Sequence, residues 1–72
     1  MSPVDKFAAR LRRMSDGEAS LQAWRLADLA GIPAPVGKSG KTTLRIVARQ
    51  IRLSRDGYEG HRAELLDQIR HL

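Results

Sequence analysis

The apolar residues of this chain recur with the 3.6-residue period of an α-helix, and no segment alternates apolar and polar residues long enough to indicate a β-strand. Three helix starts are marked by a capping residue followed three positions later by an acid: Ser2 and Asp5, Ser15 and Glu18, and Asp56 and Glu59. Gly31, followed by Pro33, is typical of a helix end. The sequence therefore predicts an all-α fold, a compact bundle of four short helices in one small basic domain spanning residues 1–72.

Each predicted helix has one apolar face. Helix 1 presents Val4, Phe7, Ala8, Leu11 and Met14, and helix 2 presents Leu21, Trp24 and Ala27, with Leu26 and Ala30 beside them. Helix 3 begins near Ser39 or Gly40, runs to about Leu53 and presents Leu44, Val47, Ala48 and Ile51. Helix 4 presents Tyr58, Leu65, Ile69 and Leu72, with Leu66 alongside. Because Trp24 lies on an amphipathic helix, we expect it in the core.

Basic residues are concentrated in residues 38–55, which hold six Lys or Arg and no acid. The formal net charge of the whole chain, +5, comes from this segment. Four of the six lie along one side of predicted helix 3: Lys41, Arg45, Arg49 and Arg52. Like charges at this spacing repel each other by a few tenths of a kcal/mol per pair. Such a cluster is typical of a surface that binds a polyanion, most often nucleic acid. A solvated face that pairs with acids elsewhere in the chain is the alternative.

The segment before helix 3 contains Gly40-Lys41-Thr42, which matches the end of a Walker A loop. Pro35 replaces the first glycine of that motif and no strand precedes it, so a nucleotide triphosphatase is not expected. The helix start still offers backbone N–H groups to an anion. We expect a phosphate to be held there by Lys38, Ser39, Lys41, Thr42 and Thr43. A capped, solvated helix start is the alternative.

Residues 25–32 resemble the first helix and turn of a helix-turn-helix DNA-binding domain. Ala27, Gly31 and Ile32 match the small packing residue, the turn glycine and the apolar residue that follows it. Residues 42–47 resemble the recognition helix, so helices 2 and 3 would form a helix-turn-helix-like pair. The connector, about eight residues long, is also similar to those of the helix–extended loop–helix modules called SAP or Rho-N-terminal-like, which bind nucleic acid too.

These resemblances imply a non-enzymatic protein that binds double-stranded DNA through helix 3, as a small transcriptional regulator or accessory factor. The expected DNA contacts are Lys38, Ser39, Lys41, Thr42, Thr43, Arg45, Arg49, Arg52 and Arg55. A homodimer or a protein partner is compatible with the small core. The alternative function is a protein–protein interaction module that docks on an acidic partner through the same helix, with Ile46 and Leu53 adding apolar contacts.

No residue pattern predicts catalysis or a small-molecule substrate. His61 and His71 are ten residues apart without further ligands at metal spacing, so neither a metal nor a cofactor is expected. No apolar run reaches the roughly 18 residues that span a bilayer, so no membrane partner is expected. The N-terminus also lacks the pattern of a secretory signal. The expected location is the cytoplasm, in association with the nucleoid.

Overall fold

The computed structural model describes the backbone of residues 3–53 and 62–72 and the side chains of residues 5–53 and 63–72. Within these ranges the chain forms four helices and no strand. They are α1 (Pro3–Arg13), α2 (Asp16–Ala30), α3 (Gly40–Leu53) and α4 (Arg62–Arg70). The predicted all-α bundle of four short helices is confirmed, and α2 and α3 form the most closely packed pair.

The core is built from one face of every helix. Four side chains of α3 are fully buried, as the sequence predicts: Leu44, Val47, Ala48 and Ile51. Phe7 and Leu11 of α1 and Leu65 and Ile69 of α4 complete the apolar contacts around them. Met14, Leu66 and Leu72 pack against this core at its edge. The predicted core residue Tyr58 and the predicted cap at Asp56 lie outside the described residues.

Helix α2 buries a different face from the one expected. Its buried residues are Ala19, Ala23, Leu26, Ala27 and Ala30. Leu21 and Trp24 are 61% and 59% exposed, so the prediction that they lie in the core is wrong. Alanine side chains let two helix backbones approach closely, which a tryptophan at the same interface would prevent. The close approach of α3 therefore selects the alanine face of α2 for the core.

Gly40 shows how close α2 and α3 come. A Cβ added to Gly40 would collide with the carbonyl oxygen of Asp16 and lie 2.7 Å from the backbone nitrogen of Ser20. Since both groups belong to the backbone of α2, neither can rotate away. A residue without a side chain is therefore required at the first position of α3.

The two helices begin at the same end of the pair. Helix α2 ends in a Schellman motif: Gly31 is left-handed (φ 68°), the N–H of Ile32 donates to the carbonyl of Ala27 (3.0 Å), and the N–H of Gly31 donates to that of Asp28 (3.2 Å). The connector, residues 31–39, then returns to the start of α2, where α3 begins. It packs Ile32 and Ala34 against the core on the way.

Candidate nucleic-acid interface

The basic side of α3 faces solvent over most of its length. Lys38, Arg45 and Arg49 are exposed, and Lys41 is partly exposed. Within the described part of the chain, neither Arg45 nor Arg49 forms an ion pair. Residues 38–53 contain no acid, so the positive charge of this row is not neutralised from within the helix. We call Lys41, Arg45 and Arg49 of α3, together with Lys38 at the end of the connector, the basic row.

The first N–H groups of α3, by contrast, already donate hydrogen bonds to other groups of the chain. The two carboxylate oxygens of Asp16 accept the N–H groups of Gly40 (2.9 Å) and Lys41 (3.1 Å). The next N–H group, that of Thr42, donates to the Ser39 hydroxyl (3.2 Å). The expectation that these N–H groups are free to hold a phosphate is therefore wrong. A carboxylate of α2 occupies the position that an external anion would take.

Hydrogen bonds also engage the hydroxyl groups at this helix start. The Ser39 hydroxyl donates to that of Thr42 (2.9 Å), and the Thr43 hydroxyl donates to the Ser39 carbonyl (2.9 Å). Thr43 is only 4% exposed, so it lies inside the fold and not on the DNA-facing surface that the sequence predicts for it. Ser39 is exposed and caps the helix, and Thr42 is partly exposed.

Asp16 is the residue of this site that sequence reasoning missed. The N–H bonds from Gly40 and then Lys41 hold the pKa of its carboxyl below the usual value, and the Lys41 charge acts in the same direction. The contact joins residues more than twenty positions apart, beyond the reach of local cap patterns. One signal points to it: Ser15 already caps α2 by accepting the N–H of Glu18 (3.1 Å), which leaves Asp16 as a second, unassigned acid.

Arg52 differs from the rest of the predicted stripe. Its guanidinium carbon lies 4.6 Å from the centre of the Phe7 ring, in the geometry of a cation–π contact. Burial lowers its pKa, and the charge of Arg10 lowers it further. Arg52 thus packs α3 against α1, in addition to any part in binding a polyanion. Arg55, the last predicted contact, lies outside the described residues.

A second group of basic residues ends α1. The Nη2 group of Arg10 donates to the carbonyl of Ile69 (3.1 Å), one of the last carbonyls of α4. Such carbonyls lack partners within their own helix, so Arg10 caps α4. Arg12 and Arg13 are exposed. The structure therefore gives Arg10 a role in holding the bundle together and leaves its two neighbours at the surface.

Other kinds of site are not seen among the described residues. No group of three or more His, Cys, Asp or Glu side chains there comes together as a metal site. None of the described helices is both long and apolar enough to cross a bilayer. Comparison of the chain with protein-family models, curated proteins and solved structures finds no match.

Proposed function

We propose that this protein binds double-stranded DNA, without catalysis, through the basic row of α3. The observation that carries the proposal is that Arg45 and Arg49 stand exposed on a helix without acids, and neither is paired within the described part of the chain. Bound phosphates would neutralise these side chains and so reduce the repulsion between them, which favours binding. In this role the protein would serve as a small regulator or accessory factor associated with the nucleoid.

The shape of the site supports contacts to phosphates more than contacts to bases. Asp16 closes the start of α3, which the sequence predicts as a phosphate site, and Thr43, a predicted DNA contact, is buried, so neither is available to DNA. The basic row instead lies along the side of the helix, where Arg45 and Arg49 are separated by about 6 Å of helix rise. Arginine binds phosphate oxygens through two parallel N–H bonds. Affinity should therefore depend strongly on salt and weakly on sequence.

The arrangement of α2 and α3 favours one of the two resemblances. In a helix-turn-helix, the short turn places the start of the second helix near the end of the first. Here α3 starts beside the start of α2, and the connector of nine residues runs back between the two ends. This supports the helix–extended loop–helix comparison over the helix-turn-helix comparison.

The proposal is tested by fluorescence anisotropy with a labelled duplex of random sequence, titrated at several salt concentrations. Four contacts from the basic row predict a slope of log affinity against log salt of about −4. Replacing Arg45→Ala and Arg49→Ala together should weaken binding and reduce the steepness of that slope by about 2, because two phosphate contacts are lost.

The matched control is the double variant Arg12→Ala and Arg13→Ala, which removes the same charge from exposed positions of α1. We expect it to lose less affinity and to keep more of the slope. Circular dichroism should show both variants folded. Equal losses in the two variants would mean that net charge alone drives binding, and unchanged binding in the α3 variant would exclude α3 as the docking surface.

A second candidate function is docking on an acidic protein. Leu53, at the end of α3, is 68% exposed, and Ile46 is partly exposed, so apolar side chains accompany the charges. An acidic polypeptide used as competitor in the same titration separates the two functions. Tight binding of the polypeptide at high salt, with no binding of the duplex, would favour the protein partner.

A further inference from the structure

Helix α1 carries basic side chains along one side, as α3 does. Lys6, Arg10 and Arg13 follow one another at intervals of four and three residues, so they lie within about 60° of each other around the helix. Asp5, the one acid in the sequence of α1, lies about 140° around the helix from Arg10. We call Lys6, Arg10 and Arg13 the α1 row. Like charges at this spacing repel each other, as they do along α3.

Two interactions of Arg52 bring the α1 row next to the basic side of α3. The guanidinium carbon of Arg52 lies 4.6 Å from the centre of the Phe7 ring, so the last turn of α3 reaches α1 at this point. The charge of Arg10 lowers the pKa of Arg52, and an effect of this kind requires the two guanidinium groups to lie close together. Arg52 follows Arg49 by three residues along α3, and Arg10 is the middle member of the α1 row. The two sets of basic residues therefore adjoin where α3 contacts α1.

The outer members of the α1 row face solvent. Lys6 and Arg13 are exposed, and neither forms an ion pair with another described residue. Arg10 is partly buried and donates to the carbonyl of Ile69, so it joins the helices at the centre of the row. The dipole of α1 favours a cation at Arg13, in the last turn, but disfavours one at Lys6, near the start. The local helix therefore gives no reason for the charge at Lys6.

We propose that the α1 row is a second phosphate-binding surface, and that a DNA duplex bound to the basic row also contacts Lys6 and Arg13. This inference rests on the proposed function, because it concerns the same duplex. It commits to phosphates because charges of one sign on two adjoining helices complement a polyanion. A duplex carries one negative charge for about every 1.7 Å of its length, so it can supply partners to both rows at once.

Arg12 provides a comparison within the same turn of α1. It is next to Arg13 in the chain and is also exposed, but it lies about 160° around the helix from Arg10. Because both arginines have the same charge and nearly the same place in the helix dipole, a difference between them reports which side of α1 meets DNA. In the double variant Arg12→Ala and Arg13→Ala, one phosphate contact is lost, so the salt slope should become shallower by about 1.

The test is the salt titration of duplex binding by fluorescence anisotropy, applied to variants of α1. The basic row alone gives a slope of about −4, and two further contacts bring the slope of the wild-type chain to about −5. Lys6→Ala with Arg13→Ala should make the slope shallower by about 2 and weaken binding by roughly tenfold or more at about 0.1 M salt. The matched control, Arg12→Ala with Arg25→Ala, removes the same charge from exposed positions outside both rows. It should keep a slope close to that of the wild-type chain.

The outcomes separate this inference from the proposed function. Circular dichroism of both double variants should match that of the wild-type chain, because all four positions are exposed. A wild-type chain that does not bind the duplex would overturn both proposals. If the α3 variant loses binding while the Lys6 and Arg13 variant binds as its control does, only the α1 row is refuted. A loss of affinity for an acidic polypeptide, with duplex binding unchanged, would assign the α1 row to a protein partner and overturn the inference.

Discussion

Replacing Gly40→Ala tests whether α2 and α3 pack as closely as the structure places them. The added methyl group would meet the Asp16 carbonyl oxygen, the Ser20 backbone nitrogen at 2.7 Å and the Ser20 Cβ at 2.9 Å. Two of these three atoms are backbone, so relief requires α3 to move away from α2. That movement also lengthens the bonds from Gly40 and Lys41 to the Asp16 carboxylate.

The cost can be estimated from these contacts. Overpacking of this kind destabilises a fold by about 1–3 kcal/mol, and more where nothing can yield. Because the obstacle is backbone, we expect the upper end, about 3 kcal/mol. A domain of this length has a total stability of about 4–11 kcal/mol. The substitution should therefore remove a large fraction of it and lower the melting temperature by roughly 12–24 °C.

Gly17→Ala is the matched control. Gly17 is exposed in the first turn of α2, and an added Cβ there has no neighbour within 4 Å. Alanine at such a position should be neutral or stabilising by up to about 1 kcal/mol. Urea unfolding followed by circular dichroism measures both free energies of unfolding. If Gly40→Ala proved as stable as Gly17→Ala, the close contact between α2 and α3 would be refuted.

Two further predictions concern Asp16 and Arg52. The pKa of Asp16 is lowered in the folded state, so its stabilising effect is present above the unfolded pKa of about 3.9 and is lost as pH falls through the folded pKa. The wild-type chain should therefore be more stable than Asp16→Asn at neutral pH, and urea titrations should show that difference shrink below about pH 4. Arg52→Ala should reduce the free energy of unfolding by about 0.5–1 kcal/mol, because the contact with Phe7 is lost. Arg49→Ala, the control, should not reduce it. Equal stability of the two variants in the same titrations would contradict this role for Arg52.

The sequence predicts the helices well because their signals are local. The cap at Ser15, the left-handed Gly31 and the apolar face of α3 each depend on residues within one or two turns. The face that α2 buries does not follow from such signals. Two apolar stripes are present on α2, and the choice between them depends on how closely α3 approaches, which is a property of the assembled pair. Counting hydrophobic bulk favours Trp24, whereas packing favours the alanines.

The candidate site also combines a feature that follows from the local sequence with one that depends on a contact between helices. The exposure of Arg45 and Arg49 on one side of α3 follows from charge and helical spacing alone, since both belong to the stripe that the sequence predicts. What occupies the start of α3 depends on a contact with α2 that the spacing within α3 does not contain. The glycine before Lys41 looks like part of a phosphate loop, but it serves the close packing of two helices.

The closure of α3 by Asp16 determines which groups of this helix can attract DNA. Because the carboxylate satisfies the first N–H groups and offsets the positive end of the helix dipole, attraction for DNA has to come from the side chains of the basic row.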